Sequence, residues 1–500
     1  MSTQNPAAPN GPTFFGHPRG LSTLFFTEMW ERFSFYGMRA LLVLFMVDQI
    51  NQNANGGLGM DAVTAGAIYG IYTGMVYLVA LPGGWIADRV MGQRSAVLWG
   101  GIIIAAGHFS MAIPGTPTFF LGLVLIVIGT GLLKPNISAM VADLYPEGGA
   151  RRDAGFTIFY MGINIGAFAA PIICSYLGEN IDWHYGFGAA GVGMVLGVVQ
   201  YILGARHLKD AGLFRGNPVD QARDKSRMIM GLVAGTILVG GLAFLLTNGT
   251  LTPPALAKAL TAVIILVAIL YFVYMAFFSG LDSVERKRVG VIAILFLAAA
   301  LFWSGFEQAG SSLNLFAKQL TDRMVGSFEV PAGWLQSVNA LFIIAFAPVF
   351  ASLWMALSAR KKEPSSPAKF GIGLFLLGIG FLIMVPAAIR TGYDGETGKL
   401  VGSSWLIMTY LFHTFGELCL SPVGLSTMTK LAPKRFVGQV MGVWFMATAL
   451  GNVIGGQVAG LFESLPLPQI FGAVALFTAG FGLLLLLFVK PIRKLMGGVH

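Results

Sequence analysis

Apolar runs of about 20 residues, the length a helix needs to cross a hydrocarbon core, recur along the whole chain. They lie near 21–50, 62–88, 95–114, 118–142, 154–178, 185–205, 228–247, 255–279, 289–317, 333–358, 370–389, 403–429, 436–462 and 467–489, fourteen in all. The intervening loops share basic residues very unevenly. Twenty-four of the 32 Lys and Arg fall at the two ends of the chain and in alternate loops: Arg89 and Arg94, Arg151 and Arg152, Arg206 to Arg227, Arg286 to Arg288, Arg360 to Lys369, and Lys430 to Arg435. Lys258, Lys318, Arg323, Arg390 and Lys399 fall on the other side, and Arg32, Arg39 and Lys134 lie within runs. Loops rich in Lys and Arg stay cytoplasmic, so both termini are expected there. An error of one crossing would scramble the alternation, which therefore supports the count.

Composition fits the same class. The chain is 55% apolar and 11% charged, against about 25% charged for a soluble domain. The net charge of +9 is then a consequence of topology, not a nucleic-acid surface. Cys174 and Cys419 both sit in apolar runs, so no disulfide framework is indicated. Met1 to Pro18 lacks a basic start followed by a short apolar core, and no cleaved signal peptide is expected.

The runs group as six, two and six. A cytoplasmic N-terminus (1–20) leads into a six-helix bundle (21–205). A polar stretch (206–227) follows as a cytoplasmic linker, then an inserted two-helix hairpin (228–280). A second six-helix bundle (281–489) ends in a cytoplasmic C-terminus (490–500). The inserted pair is almost wholly aliphatic and aromatic, with Lys258 its only charge, so it is expected at the periphery. Paired halves suggest a transporter with its site near the midplane.

Four formal charges interrupt the first run: Glu28, Glu31, Arg32 and Arg39. With Tyr36 they fall within about 140° of one helical face at ~3.6 residues per turn. A charge at mid-bilayer costs at least ~2.5–3.5 kcal/mol, so such residues face a bundle interior or a wet cavity. A structural Glu–Arg pair that only fixes packing is the alternative reading. Lys134, between Gly129-Thr130-Gly131 and Pro135-Asn136, charges another span; Glu307, one turn after Trp303, and Glu417, one turn before Ser421, charge two more. Basic groups in the first half (Arg32, Arg39, Lys134) thus oppose acids in the second (Glu307, Glu417). If the halves are pseudo-symmetric, Lys134 with Glu417 and Arg39 with Glu307 are candidate gating pairs, the first towards the cytoplasm and the second towards the outside. The loop Gly83-Gly84-Trp85-Ile86-Ala87-Asp88-Arg89 to Arg94 could latch neighbouring helices or merely set topology.

Glu28-x-x-Glu31-Arg32-Phe33-x-Phe35-Tyr36-Gly37 resembles the E-x-x-E-R-F-x-Y-Y-G signature of the proton-coupled oligopeptide transporters, a family of the major facilitator superfamily. Phe159-Tyr160-Met161-Gly162-Ile163-Asn164-Ile165-Gly166-Ala167 is similar to its second signature, F-Y-x-x-I-N-x-G-(S/A). Gly129 to Ser138, Trp303-x-x-x-Glu307-Gln308, Gln336-Ser337-Val338-Asn339 and Gly416-Glu417-Leu418-x-x-Ser421-Pro422 fit as well. The resemblance implies an all-α major facilitator fold of 14 crossings in a bacterial inner membrane, carrying di- and tripeptides inward with protons by alternating access. It implies no catalysis, no cofactor beyond the coupling proton, and no partner beyond peptide, proton and membrane lipid.

It also implies roles for particular residues. Glu28, Glu31 and Arg32 would serve proton coupling, with Glu307 joining both that set and the peptide set. Tyr36, Arg39, Lys134 and Asn164 would meet the peptide carboxylate. Asn339 and Glu417, with Ser421, would meet the amino terminus. Trp303, Trp444 and Tyr72 would wall side-chain pockets. Such polarity suits a zwitterion. Three departures stand out: Phe35 for a Tyr, Ala340 where a Pro usually follows the Asn, and no His in the second run. The proton carrier here should therefore be a carboxylate. An exporter of amphiphilic drugs or metabolites on the same fold is the rival. It would be expected to show one or two acids facing cations, without a Lys/Arg cluster opposite acids. An intramembrane enzyme is disfavoured, because no paired Asp, His-rich cluster or Ser-Lys dyad appears; His108 is alone in its run and is expected to be a packing residue, and His184 and His413 lack metal-ligand spacing.

Overall fold

The computed structural model describes residues 13–49, 56–147, 149–392 and 399–498. Each of the fourteen apolar runs is helical. In chain order the long helices are α1 (Gly20–Val47), α2 (Ala62–Leu78), α3 (Gln93–Met111), α4 (Thr116–Asp143), α5 (Gly149–Asn180), α6 (Trp183–Gly204), α7 (Pro218–Thr247), α8 (Pro253–Val273), α9 (Ser283–Phe306), α10 (Ser337–Ala359), α11 (Ser366–Thr391), α12 (Ser404–Leu431), α13 (Val437–Ala459) and α14 (Leu467–Leu487). Among the described residues, twelve stretches are long and apolar enough to cross a membrane by length and composition. The two that fall short are α1, 28 residues long, and α3, 19 residues long. Their polar residues explain it: the Glu and Arg side chains of α1, and Gln93, Arg94 and His108 of α3.

Local chemistry sets the helix ends. Asp282 caps α9, its Oδ1 accepting from the Val284 and Glu285 N–H groups at 2.7 and 2.8 Å, while Glu285 accepts from the Asp282 N–H at 3.2 Å. That reciprocal pair satisfies N–H groups that a helix start leaves open. Thr252 and the prolines behind it start α8 in a related way. α2 does not stop at Leu78. It passes through a turn into Ala80–Ile86 and a π-helical turn, Ala87–Met91, completing a 30-residue crossing.

The run at 289–317 is not one continuous helix. α9 ends at Phe306, a 3-10 turn covers Glu307–Gly310, and a short helix resumes at Ser312–Leu320. α7 likewise begins at Pro218, inside the polar stretch that precedes its apolar run.

The chain divides into two compact units. One comprises Met1–Met38, Val79–Ile173 and His184–Ile237; the other comprises Arg39–Leu78, Cys174–Trp183 and Leu238–His500. In the first, α3 packs along α4. Its core gathers Leu21, Leu24, Ile104, Leu133, Ile137, Met140, Phe159, Met194 and Tyr201. In the second, α11 packs against α12 and α14, and α13 packs against α2 and α9. The α2–α13 approach depends on glycine: a Cβ on Gly66 would stand 2.5 Å from the Gly456 carbonyl oxygen. Small residues at helix contacts are the membrane solution, since lipid supplies no hydrophobic drive to bring helices together.

The inserted pair is peripheral, as its composition implies. None of the most apolar stretch of α7 is buried in the protein. α8 packs on α2 and α13 through Ala257, Ile264 and Ala268, with Gln457 Nε2 donating to Thr261 Oγ1 at 2.7 Å. Both cysteines are buried and unbridged.

Candidate transport site

The first unit holds a cluster built within a single turn of α1. Arg32 Nε lies 2.8 Å from Glu28 Oε1 and 2.7 Å from Glu31 Oε2. These residues are 5%, 3% and 1% exposed respectively. The guanidinium also stands 5.7 Å from the Phe35 ring centre, so the Phe that departs from the signature still packs beside the charge. One guanidinium faces two carboxylates, and Lys134 on α4 interacts electrostatically with Glu31. Pro135 follows Lys134 inside α4 and removes a backbone donor. Asn136 Nδ2 donates to the Leu132 carbonyl at 2.7 Å, tying down that part of the helix.

The second signature acquires a physical meaning here. A Cβ on Gly166 would run into the Met29 carbonyl oxygen and stand 3.2 Å from Arg32 Cβ. Gly166 thus lets α5 close on the charged turn of α1. Asn164, two residues earlier, is buried and donates to the Tyr160 carbonyl at 2.9 Å. Tyr36 is half-buried, its ring edge-on to Phe35.

The second unit holds a cluster drawn from distant parts of the chain. Arg39 Nη2 is 3.2 Å from Glu307 Oε2. Arg39 Nε donates to the Tyr69 hydroxyl at 2.9 Å, and that hydroxyl donates to the Glu307 carbonyl at 3.2 Å. All three side chains are buried. The break in α9 makes this possible, because it starts at Glu307. Gln308 Nε2 donates to the Ser304 carbonyl at 3.1 Å and Ser312 Oγ donates to Gln308 Oε1 at 2.8 Å, so Gln308 bridges the break. Gly310 leaves the space: a Cβ there would overlap the Tyr69 hydroxyl and stand 2.8 Å from Arg39 Nε.

Further residues of the expected set lie in the same unit. Asn339 Nδ2 donates to Thr414 Oγ1 at 2.9 Å and to Glu417 Oε2 at 3.3 Å. Ser421 is half-buried one turn beyond Glu417. Trp303 is half-buried and packs edge-on to Phe302 and Phe306. Tyr72 is buried on α2. Trp444 is buried against Phe370 and against Gly424, which has no Cβ to obstruct its ring. The structure therefore joins Arg39 to Glu307, Asn339 to Glu417, and Arg32 to both acids of its own turn. Lys134 belongs to the first unit and Glu417 to the second.

Sequence reading missed Tyr69, Gly310 and Thr414, and it named Gln308 in a motif without giving it a role. Tyr69 had a faint signal, since it and Tyr72 fall one turn apart on an otherwise apolar helix. The stretch from Arg89 to Arg94 engages the linker: Arg94 Nε donates to the Ala211 carbonyl at 2.7 Å, and Arg89 pairs with Asp224 at 3.7 Å. His108 is fully buried, and His413 is buried among Phe306, Phe381 and Tyr410. Among the described residues, no group of three His, Cys, Asp or Glu side chains could hold a metal ion.

Known proteins resemble this chain over nearly its full length. The chain is 45% identical over 507 residues to the peptide transporter YePEPT of Yersinia enterocolitica, covering 98% of each. It is 39% identical over 499 residues to a di-/tripeptide transporter of Lactococcus lactis, again covering 98% of each. The crystal structure of a peptide transporter POT in complex with sulfate superposes with a TM-score of 0.88 at 41% identity, covering 98% of each chain. The POT family profile itself matches residues 94–473, and the chain belongs to that family.

Proposed function

We propose that this protein imports di- and tripeptides together with protons across a bacterial inner membrane, by alternating access between two six-helix halves. The observation that carries the reading is the buried Arg39–Tyr69–Glu307 cluster. It joins α1 and α2 of the first half to the break in α9 of the second. A contact of that kind can form in one access state and part in the other. Relatives named as peptide and di-/tripeptide transporters, at 45% and 39% identity, support the substrate class.

The proton site is the charged turn of α1. Glu28 and Glu31 are balanced by Arg32 and, through space, by Lys134. A peptide carboxylate that engages Lys134 withdraws its charge from the cluster. One acid is then left without a counter-charge in a desolvated site, and a proton supplies it. Peptide and proton therefore enter together. Asn339 and Glu417 offer an acceptor for the peptide ammonium group, and Trp303 and Tyr72 offer apolar walls that tolerate varied side chains.

Energetics set the scale. A neutral zwitterionic peptide moving with one proton carries one positive charge. Membrane potential contributes ~2.3 kcal/mol per 100 mV and each pH unit ~1.36 kcal/mol. Together, ~100 mV and one pH unit sustain roughly several hundred-fold accumulation. The test is uptake of a labelled dipeptide, against the free amino acid, into proteoliposomes with and without an inward proton gradient. Concentrative dipeptide uptake that needs the gradient is expected. Uptake that survives collapse of pH and potential gradients, and is sustained by sodium, would overturn the reading.

A further inference from the structure

We infer that Glu179, at the end of α5, is a positioning residue that locks the outer side shut, independently of the Arg39–Glu307 pair. The inference rests on the alternating-access reading above. The Glu179 side chain is 1% exposed and gathers three donors. Lys318 Nζ lies 3.0 Å from Oε2, the Ala332 N–H donates to Oε2 at 3.0 Å, and the Gly333 N–H donates to Oε1 at 2.9 Å. Glu179 belongs to the first six helices; its donors belong to the second six, from the short helix after the α9 break and from the 3-10 turn Ala332–Gln336 that leads into α10. All of these residues lie within the second compact unit.

Neighbouring contacts close the same seam. Gly333 is pressed so tightly on Ser175, one turn before Glu179, that a Cβ there would overlap Ser175 Oγ. Asn314 Nδ2 donates to the Ala40 carbonyl of α1 at 2.8 Å. Lys318 and Arg323 lie on the non-cytoplasmic side by the distribution of basic residues, so this seam faces outward.

The chemistry suits a lock more than a static brace. Both oxygens of one carboxylate are used, and each bond is charge-assisted, which makes it stronger than a neutral hydrogen bond. All three donors leave the carboxylate together if the halves part at this end. Opening then trades three protein donors for water in a single step, which favours two discrete states over a graded motion.

The test uses the full chain in lipid nanodiscs. Spin labels are placed at two exposed positions, Ile181 and Val325, by I181C and V325C in a background with Cys174 and Cys419 replaced. The unmodified lock should give one dominant short distance. Glu179→Ala should raise the long-distance population about tenfold relative to the closed one, which corresponds to about 1.4 kcal/mol. Glu179→Gln, which keeps its shape and one acceptor, should give a smaller shift, and Lys318→Met the smallest. In uptake assays the Ala variant should lower the apparent KM for external peptide and the maximal rate together, because more carriers rest open outward. A mere loss of folded carrier would lower the rate at unchanged KM. Unchanged distance distributions in both Glu179 variants would overturn the lock. The distances are read without transport, so a failure of the peptide reading would show separately, in the uptake assay alone.

Discussion

Two buried arginines seven positions apart on α1 make opposite kinds of cluster. Arg32 finds both of its carboxylates within its own turn, at Glu28 and Glu31. Arg39 finds its carboxylate on another half of the chain, at Glu307, with Tyr69 between them. The first cluster is local and persists in any conformation that keeps α1 helical. The second exists only while separate helices are held together. A local cluster is suited to holding a proton through the cycle, and a long-range one is suited to reporting which side is open. The lesson is that one charged helix can divide coupling from gating by sequence separation alone.

That division can be broken most forcefully at the local cluster. With Glu28 and Glu31 both changed to Gln, gradient-driven uptake should vanish, a loss of two orders of magnitude or more, while peptide counterflow stays measurable. The single variants should differ, with the essential acid reproducing the double. Wild-type driven uptake in all three would remove proton coupling from α1.

Next in size comes the long-range pair. Removing one partner of a desolvated pair strands the other and costs ~3–5 kcal/mol. Arg39→Ala and Glu307→Ala should each impair driven uptake and counterflow alike, unlike the Gln variants of the local cluster. The swap of Arg39→Glu with Glu307→Arg should recover part of the activity if the pair acts purely as a gate. No recovery would favour direct contact with peptide.

Tyr69→Phe sharpens the comparison further. It deletes one hydroxyl bonded to a charged group, a contribution of ~1.5–3 kcal/mol. Uptake should fall by roughly ten- to a hundredfold, with the proton dependence unchanged. A change in proton dependence would show that the two clusters are not separate.

The smallest effect lies outside the membrane. His17 Nδ1 sits 2.8 Å from the Tyr145 hydroxyl. Burial, with Arg151 second, holds the His17 pKa below its ordinary 6.5, while burial pushes the Tyr145 hydroxyl up to about 12. The folded state therefore prefers neutral His17. Its contribution to stability is present above pH 6.5 and fades as pH falls below it, because the unfolded chain binds the proton more readily. His17 is a single half-buried ring at the edge of the fold, so the acid-side loss in thermal stability should be small, and His17→Gln should abolish it.

The fold was legible because hydropathy and basic-loop alternation are read without tertiary contacts. The break at Glu307 was not legible: no proline marks it, and the apolar run continues on both sides. The early start of α7 at Pro218 was hidden for a related reason, since a polar helix beyond the membrane leaves no hydropathy signal. Within the site, charged residues announced themselves by their cost in lipid. Tyr69 and Thr414 did not, since a hydroxyl in an apolar helix is cheap and its partners come from remote sequence. Glu179 escaped because it lies at a helix end, where a carboxylate is ordinary until its three donors are seen.

The most direct measurement follows protons and peptide at once, in proteoliposomes loaded with a pH-sensitive dye and held at an inside-negative potential. Adding dipeptide outside should acidify the lumen in step with peptide entry. Free amino acid should not, and the double Gln variant should lose the acidification while keeping counterflow. Concentrative dipeptide entry with no proton movement, or equal acidification by the double variant, would contradict the account.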